Sequence, residues 1–265
     1  MAPYTETPYL DTLVLLSHLL DIPRAQLLAH PSPPLNSEQT KNLISVLKKI
    51  RSGFPLPYVV GKWEFFSLDF FVNPDVLIPR PETERLVEEA LHWLKDHPQA
   101  NLVLDLGTGS GCLAVALSVN QPRIQLIAAD ISLAALLTAR KNAAHHHTAE
   151  RIHFVQMDLL SGLSSGFDLI CANLPYIPSH RLPSLAVSRR EPLQALDGGS
   201  DGLQLIRRLL KEAGNHLNPE GAVLLEIDEN RGDLALETAE LFFPDAVLTL
   251  EKDLSRKDRY LWIQT

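Results

Sequence analysis

The sequence predicts an α/β chain: a parallel sheet covered by helices on both faces, preceded by a small helical domain and a β-hairpin linker. Three observations predict it. After residue 100, short runs that are apolar along their whole length alternate with helical segments, the pattern of strands buried on both faces and joined by crossover helices. Before residue 54, leucines and isoleucines recur at helical spacing. Between the two, residues 55–78 are rich in aromatic and β-branched side chains, as paired strands are. A length of 265 residues with 45% hydrophobic and 21% charged content allows one large domain or two, with a well-buried core.

Taken in order, the chain divides into 1–54, 55–78 and 79–265. In the first part Leu13, Leu16, Leu19 and Leu20, then Leu27 and Leu28, then Leu43, Ile44, Leu47 and Ile50 mark helical pieces, with a Pro-rich break at 31–34. Lys48, Lys49 and Arg51 read as cations complementing a helix C-terminus, or as contacts for an anionic partner. In 55–78 the apolar runs are split around Gly61-Lys62 and Ser67 to Asp69, which places a hairpin there. A helix starts near Pro81, where proline suits the first turn and Glu82 and Glu84 face the positive helix end. Strands follow at 102–106, 124–129, 152–156, 167–172 and 222–227, with helices near 112–119, 132–143, 202–216 and 231–242. The final stretches, AVLTLEKD and RYLWIQT, are close enough to pair as an antiparallel hairpin.

Charge narrows the function. With 24 basic and 32 acidic side chains the formal net charge is −8, which argues against a broad phosphate-binding surface. Five basic and four acidic residues up to position 54 leave that part nearly neutral. Cys112 and Cys171 are the two cysteines; they form no metal-ligand spacing and fit a reducing compartment. The start, MAPYTETPYL, lacks a basic region followed by an apolar run, and no apolar stretch reaches the roughly 18–20 residues that span a bilayer. The expectation is a soluble cytoplasmic protein without membrane association. His145 to His147 in AHHHTAE point in different directions on a helix and read as a surface segment, not a metal site.

VLDLGTGSGCLAVAL puts Gly107, Gly109 and Gly111 between a strand and its helix. Glycines permit positive φ and let the backbone approach a ligand at the carboxyl edge of the sheet. A dinucleotide fingerprint wants a glycine where Cys112 stands; D-x-G-x-G-x-G instead resembles the first motif of S-adenosylmethionine-dependent methyltransferases. The next strand ends in Asp130, 19 residues beyond Gly111, where a carboxylate can accept from both hydroxyls of a ribose. Asp130 also suits a helix N-cap, a role for which Ser132 competes. Asp105 is expected to face the amino acid portion of the cofactor, with Asp158 and Leu159 of QMDLL near the adenine.

The strand ending at Ala172 runs into Asn173, Leu174, Pro175 and Tyr176. A planar amide or base nitrogen attacks a sulfonium methyl poorly, because its lone pair is delocalised. The Asn173 side-chain oxygen and the Leu174 carbonyl could each accept one N–H, hold the nitrogen in line and favour the charge growing on it. Tyr176 could stack on the planar group, and Pro175 stiffens the turn. Taken alone, the same residues are an Asn-containing turn with a tyrosine over the core edge. Arg80 in PRPETE either holds an acidic group near the site or bridges Glu82 or Glu84 on the surface.

NLPY fits the [Asn/Asp/Ser]-x-Pro-aromatic motif of amino-group methyltransferases. PYVVGKWEFFSLDFFVNPDVLIPRPETE (57–84), VLDLGTGSGCLAVAL (103–117), NLPYIP (173–178), EPLQALDGGSDGL (191–203), LLEID (224–228) and KDLSRKDRYL (252–261) together resemble the release factor glutamine methyltransferases called PrmC or HemK. The resemblance spans nearly everything after residue 56. It implies a helical N-terminal substrate-recognition domain, a hairpin linker and a seven-stranded Rossmann-like class I methyltransferase domain. It also implies transfer of a methyl group from S-adenosyl-L-methionine, leaving S-adenosyl-L-homocysteine, to the Gln side-chain nitrogen of the Gly-Gly-Gln motif in class I peptide chain release factors. Cofactor contacts then map to Gly107, Thr108, Gly109, Ser110, Gly111, Asp130 and Leu159, with Asp105, Asp158 and Asn173 completing the set; amide contacts map to Asn173 through Tyr176. Two positions depart from the family pattern: Leu174 stands where a second proline is usual, removing one φ restraint, and Leu159 where an aromatic residue is common. The rival reading is an amino methyltransferase acting on adenine or cytosine in nucleic acid, which would need a basic groove and base flipping.

Overall fold

The computed structural model, which describes residues 7–30, 34–163 and 166–265, divides by spatial contacts into two compact units, Met1–Trp63 and Glu64–Thr265. The first is helical: α1 (Pro8–Leu20), α2 (Arg24–Ala29), α3 (Ser37–Arg51) and α4 (Leu56–Val60). Leu15, Ile50 and Leu56 form its small core, with Leu19, Leu43 and Leu47 packed against them. A capping box starts α3: Asn36 accepts from the Gln39 N–H at 2.8 Å, and the Gln39 side chain accepts from the Asn36 N–H at 2.9 Å. Lys48, Lys49 and Arg51 occupy its last turn, where cations oppose the helix dipole. The Pro-rich break lies, in its first three residues, outside the described residues.

The segment expected as a hairpin over 55–78 opens instead with α4. Tyr58, Val59 and Val60 favour a strand, but Pro57 in the first turn gives up no needed N–H and Gly61 closes the helix in the left-handed region at φ 74°. The hairpin is the narrower pair β1 (Lys62–Phe65) and β2 (Leu68–Phe71). Its turn uses Phe66 and Ser67 at φ 51° and 59°, a conformation normally left to Gly or Asn. Glu84 compensates by accepting from the Phe66 N–H at 2.9 Å.

The second unit continues with α5 (Pro81–Asp96), β3 (Leu102–Leu106), α6 (Cys112–Asn120), β4 (Gln125–Asp130), α7 (Leu133–His145), β5 (Ile152–Gln156), β6 (Phe167–Ala172), α8 (Gln204–Ala213), β7 (Leu217–Glu226), α9 (Gly232–Phe242), β8 (Val247–Lys252) and β9 (Asp258–Gln264). Seven strands form one sheet in the order β5-β4-β3-β6-β7-β9-β8. Pairings from β5 to β7 are parallel, and β9 pairs antiparallel with both β7 and β8. This is the doubly covered α/β sheet that the apolar strands anticipate. Alternate strand residues enter two cores. Val103, Leu126, Leu169 and Leu224 pack with Leu86 and Val87 of α5 and Leu113 to Leu117 of α6, while Leu104, Leu106, Ile170 and Val223 pack with Ile206 and Leu209 of α8 and Ala235 and Ala239 of α9.

Strand β7 begins earlier than expected, at Leu217, and the helix expected over 202–216 stops at Ala213 before a single 3-10 turn at Gly214–His216. The histidines of AHHHTAE have a packing role: His146 Nε2 lies 2.8 Å from the Asp69 carbonyl, and the His145 and His146 rings sit 5.2 Å from Phe71 and Phe70 respectively. Among the described residues no helix is long and apolar enough to cross a membrane.

Asn142 of α7 joins three pieces. Fully buried, it accepts from the Phe71 N–H at 2.7 Å and donates to the carbonyls of Phe71 at 3.0 Å and Ser110 at 2.7 Å, so hairpin, helix and glycine loop share one amide. Replacing Asn142 by Ala strands these groups at about 1–3 kcal/mol for each one left unsatisfied. Urea unfolding of Asn142→Ala is expected to show a loss of roughly 2–4 kcal/mol, against a few tenths for Arg85→Ala, whose pairs with Glu88 and Glu89 lie along the helix surface.

Candidate active site

Register decides where the site forms. Leu106, the last residue of β3, lies opposite Ala129 of β4 on one side and Ala172 of β6 on the other. The residues that follow, Gly107, Asp130 and Asn173, therefore leave the sheet at one level on its carboxyl edge, where open parallel sheets bind ligands. Asp130 is itself opposite Gln156, so Met157, Asp158 and Leu159 emerge beside it. A cavity of about 620 Å³ opens there. Gly107, Gly109, Asp130, Asp158, Leu159, Asn173, Leu174 and Pro175 all line it.

Five expected contacts do not. Asp105 is 2% exposed, and its Oδ2 accepts from the Thr108 hydroxyl at 2.6 Å and the Ala114 N–H at 3.2 Å. Thr108 and Ser110 are buried with it. Gly111 faces α7, where a Cβ would come 2.9 Å from that of Ala139, so its place follows from close helix packing and φ 79°. Tyr176 is drawn away because its hydroxyl donates to Glu226 at 3.1 Å. None of these five lines the cavity.

The loop's amides find their partners within the protein. Gly107 and Thr108 donate to the Ala129 carbonyl at 2.8 and 3.0 Å, Gly109 to Asp130 Oδ2 at 2.9 Å, and Gly111 to the Thr108 carbonyl at 2.8 Å. What the loop offers a ligand is close approach. A Cβ on Gly107 would meet Leu174 Cδ2 at 3.3 Å and the Asn173 carbonyl at 3.8 Å, so glycine loop and Asn173 segment touch.

Asp130 divides its carboxylate between the Gly109 N–H and, through Oδ1 at 2.8 Å, the Ser132 N–H. Burial raises its pKa, against the pull of these donors. Ser132 is the actual cap of α7, accepting from the Ala135 N–H at 3.2 Å. Asp158 pairs with Arg208 at 2.8 Å, and both line the cavity. Leu159 sits at φ 51°, a left-handed position that is costly for a branched residue.

Asn173 is oriented by protein contacts. Its Nδ2 donates to Thr83 Oγ1 at 3.0 Å, and neither its Oδ1 nor the Leu174 carbonyl accepts a hydrogen bond among the described residues. Both residues line the cavity. The following turn is packed by DGGSDG: a Cβ on Gly198 would lie 2.7 Å from the Pro175 carbonyl, and one on Gly202 2.4 Å from that of Tyr176. Ile177 donates to the Leu196 carbonyl at 3.0 Å, and Gly198 donates back to Ile177 at 2.9 Å.

Sequence reasoning missed much of the outer wall. Asp75 to Leu77 line the cavity from the segment after the hairpin, and Pro192, Gln194, Asp197 and Ser200 from the loop before α8. The signal available was the cluster of glycines at 198, 199 and 202. Arg80 bridges neither Glu82 nor Glu84. It pairs with Glu191 at 2.5 Å, whose other oxygen accepts from the Ile78 N–H at 3.0 Å, and so ties the two missed stretches together.

Family models match two regions: "Methyltransferase small domain" over residues 85–188 and "PrmC N-terminal domain" over 2–61. A release factor glutamine methyltransferase of Nitratidesulfovibrio vulgaris is 35% identical over 98% of this chain and 90% of its own length. One of Coxiella burnetii is 41% identical over 84% of this chain and 79% of its own. Among solved structures, a ribosomal protein L11 methylase of Lactobacillus delbrueckii superposes with a TM-score of 0.53 at 21% identity, covering 73% of this chain and 82% of that one. A Thermus thermophilus 16S rRNA N2 G1207 methyltransferase in complex with AdoMet and guanosine gives 0.55 at 18%, covering 77% and 49%. These two share the fold.

Burial pushes the Asp105 carboxyl up to about 7, against the Thr108 and Ala114 donors. Between its ordinary value near 4 and pH 7 the folded chain holds a proton that the unfolded chain has released, so this group's stabilisation is full below about pH 4 and is lost as pH rises through 7. Asp105→Asn removes the titration. Thermal melts from pH 5 to 8 are expected to show the melting temperature of Asp105→Asn rising relative to the parent as pH increases; parallel curves would contradict the assignment.

Proposed function

This chain belongs to the release factor glutamine methyltransferases, and on that footing we propose how its cavity carries out the reaction. The activity is methyl transfer to a glutamine side-chain nitrogen of a release factor. The donor in our reading is S-adenosyl-L-methionine, and the acceptor the Gln of the Gly-Gly-Gln motif in class I factors. The helical unit Met1–Trp63 is assigned to recognising the rest of the substrate.

The cavity fits that donor on three counts: room of about 620 Å³, a floor of bare backbone at Gly107 and Gly109, and a carboxylate, Asp130, with acceptor capacity left beside the Gly109 and Ser132 amides. Gly107 and Gly109 would let the donor lie against the backbone, Asp130 would take ribose hydroxyls, and Asp158 and Leu159 would border the adenine. When bound, S-adenosylmethionine supplies an electrophilic methyl carbon on a sulfonium. The remainder is done by protein oxygens.

Asn173 Oδ1 and the Leu174 carbonyl carry this reading: both residues line the cavity, and neither oxygen accepts a hydrogen bond among the described residues. A primary amide has two N–H groups in one plane, and two fixed acceptors hold that plane and turn one face of the nitrogen, where its lone pair lies, to the methyl carbon; the methylated nitrogen then gives up one N–H proton. The acceptors also oppose the positive charge that develops on nitrogen, more strongly in a water-poor site than in water. Pro175 fixes the backbone that presents the Leu174 carbonyl. Tyr176, anchored to Glu226, braces the turn from behind, and stacking on the amide is not part of our assignment.

Charge favours a protein acceptor over nucleic acid. The charged cavity-lining residues are Asp75, Asp130, Asp158, Asp197 and Arg208, a lining that repels phosphates. Incubation with labelled donor and either a class I release factor or bulk RNA and DNA, followed by mass spectrometry of the labelled peptide, tests the assignment. The methyl is expected on the Gly-Gly-Gln glutamine; label in nucleic acid alone would overturn it. Asn173→Ala is expected to lower kcat by about a hundred-fold or more while the Kd for the donor stays within about three-fold, since the lost acceptor faces the substrate amide.

A further inference from the structure

Glu226, at the end of β7, is 1% exposed and stands outside the cavity lining. Its Oε2 accepts from the Thr83 hydroxyl at 2.8 Å and its Oε1 from the Tyr176 hydroxyl at 3.1 Å. Thr83, in the first turn of α5 and 4% exposed, in turn accepts from Asn173 Nδ2 at 3.0 Å. The chain Asn173, Thr83, Glu226 is thus a buried line of donors and acceptors that ends on a carboxylate, away from solvent.

We propose that Glu226, acting through Thr83, fixes which way round the Asn173 amide points and is thereby a positioning residue for methyl transfer. Burial raises the Glu226 pKa, against the pull of the Thr83 and Tyr176 hydroxyls and the Arg259 charge; it is the ionised form, with no proton to give, that accepts from both hydroxyls. Thr83 has one hydroxyl proton; once it is committed to Glu226, the Thr83 oxygen can only accept toward Asn173. Asn173 must then turn its NH₂ to Thr83 and leave Oδ1 for the cavity. An amide placed the other way would present N–H groups to the N–H groups of the substrate, and no hydrogen bond would form. Without the carboxylate the two orientations of Asn173 are nearly isosteric, and nothing else in the described structure chooses between them. The same carboxylate holds the Tyr176 hydroxyl, so both ends of the Asn173–Tyr176 segment are set by one buried group.

The proposal rests on the assignment of Asn173 Oδ1 as a substrate acceptor, and its test separates the two. Full-length Thr83→Val, Thr83→Ser, Glu226→Gln and Asn173→Ala are compared for kcat with a class I release factor and for donor affinity by calorimetry. Glu226→Gln can donate Nε2–H to Thr83, which frees the hydroxyl proton for Asn173 and favours the reversed amide. Thr83→Val removes the relay at constant volume. Both are expected to lower kcat roughly ten- to a hundred-fold, with donor Kd within about two-fold of the parent, and Thr83→Ser to recover most of the loss. In the Asn173→Ala background, neither Glu226→Gln nor Thr83→Val is expected to reduce kcat further, because residues acting as one unit are non-additive; a bystander that merely stabilises the fold would subtract in full. Should Glu226→Gln unfold, Thr83→Val and Thr83→Ser carry the same decision. If Asn173→Ala loses turnover but the Thr83 and Glu226 variants retain it, or if the losses multiply, the relay is wrong and the Asn173 assignment stands; if Asn173→Ala retains turnover, both fall.

Discussion

Parallel pairing of β3 with β6 is the constraint from which the site follows. With Leu106 opposite Ala172, the glycine loop and the Asn173 segment leave the sheet together, and their atoms come within van der Waals reach, as the space at Gly107 shows. A slip of two residues would carry Asn173 some 7 Å along the strand, out of reach of whatever lies on the loop. That register is enforced from both faces. Val103 and Leu169 belong to one core and Leu104 and Ile170 to the other, so a shift by one would exchange the environments of every side chain in the pair.

Buried polar groups brace the edge that this register creates. Asp105 sits under the loop, Asn142 behind it, and Glu226 behind the Asn173 turn. Each is nearly inaccessible; Asp105 ties the loop to the start of α6, while Asn142 and Glu226 join segments far apart in sequence. Such groups cost several kcal/mol if left unpaired in the interior. Paired, they admit one arrangement of neighbours, since an unsatisfied donor is heavily penalised and an apolar contact would slide at little cost. The outcome is a rigid carboxyl edge built from loops that would otherwise be mobile.

The fold was readable because period and composition suffice for it. β3, β5 and β6 fall on their expected residues, since a strand buried on both faces is apolar from end to end. α4 was not readable, because the helix there depends on where Pro57 and Gly61 fall, while Tyr58 to Val60 argue locally for a strand. Of the residues expected at the site, Gly107, Asp130 and Asn173 all line the cavity. Residues whose job is to hold others were misassigned or left open, because a brace is defined by its partner, and the partners of Asp105, Tyr176 and Arg80 are supplied by tertiary structure. PRPETE is the clearest instance. Arg80 reaches Glu191, Thr83 reaches Glu226 and Asn173, Glu84 reaches the Phe66 N–H, and the Glu82 carbonyl receives the Tyr260 hydroxyl at 2.7 Å. Nothing within the six residues announces any of these.

Leu174 shows how a departure from a family pattern is absorbed. A proline at that position would restrain φ and so lower the entropy of the unfolded chain, an effect of about 0.4–1 kcal/mol. The leucine forgoes this, yet it is 4% exposed and packs in the core with Leu104, Leu106 and Leu203. Burying a leucine contributes roughly 1.5–3 kcal/mol relative to leaving it exposed, so packing holds the turn where the restraint is missing. Its side chain also abuts the space at Gly107, so the turn is held against the very loop it must face. A carbonyl is aimed equally well by a locked dihedral or by a side chain that fits one hole. Here the second means operates, and because the hole is lined by the strands flanking the site, the aim of the Leu174 carbonyl is tied to the register of the sheet.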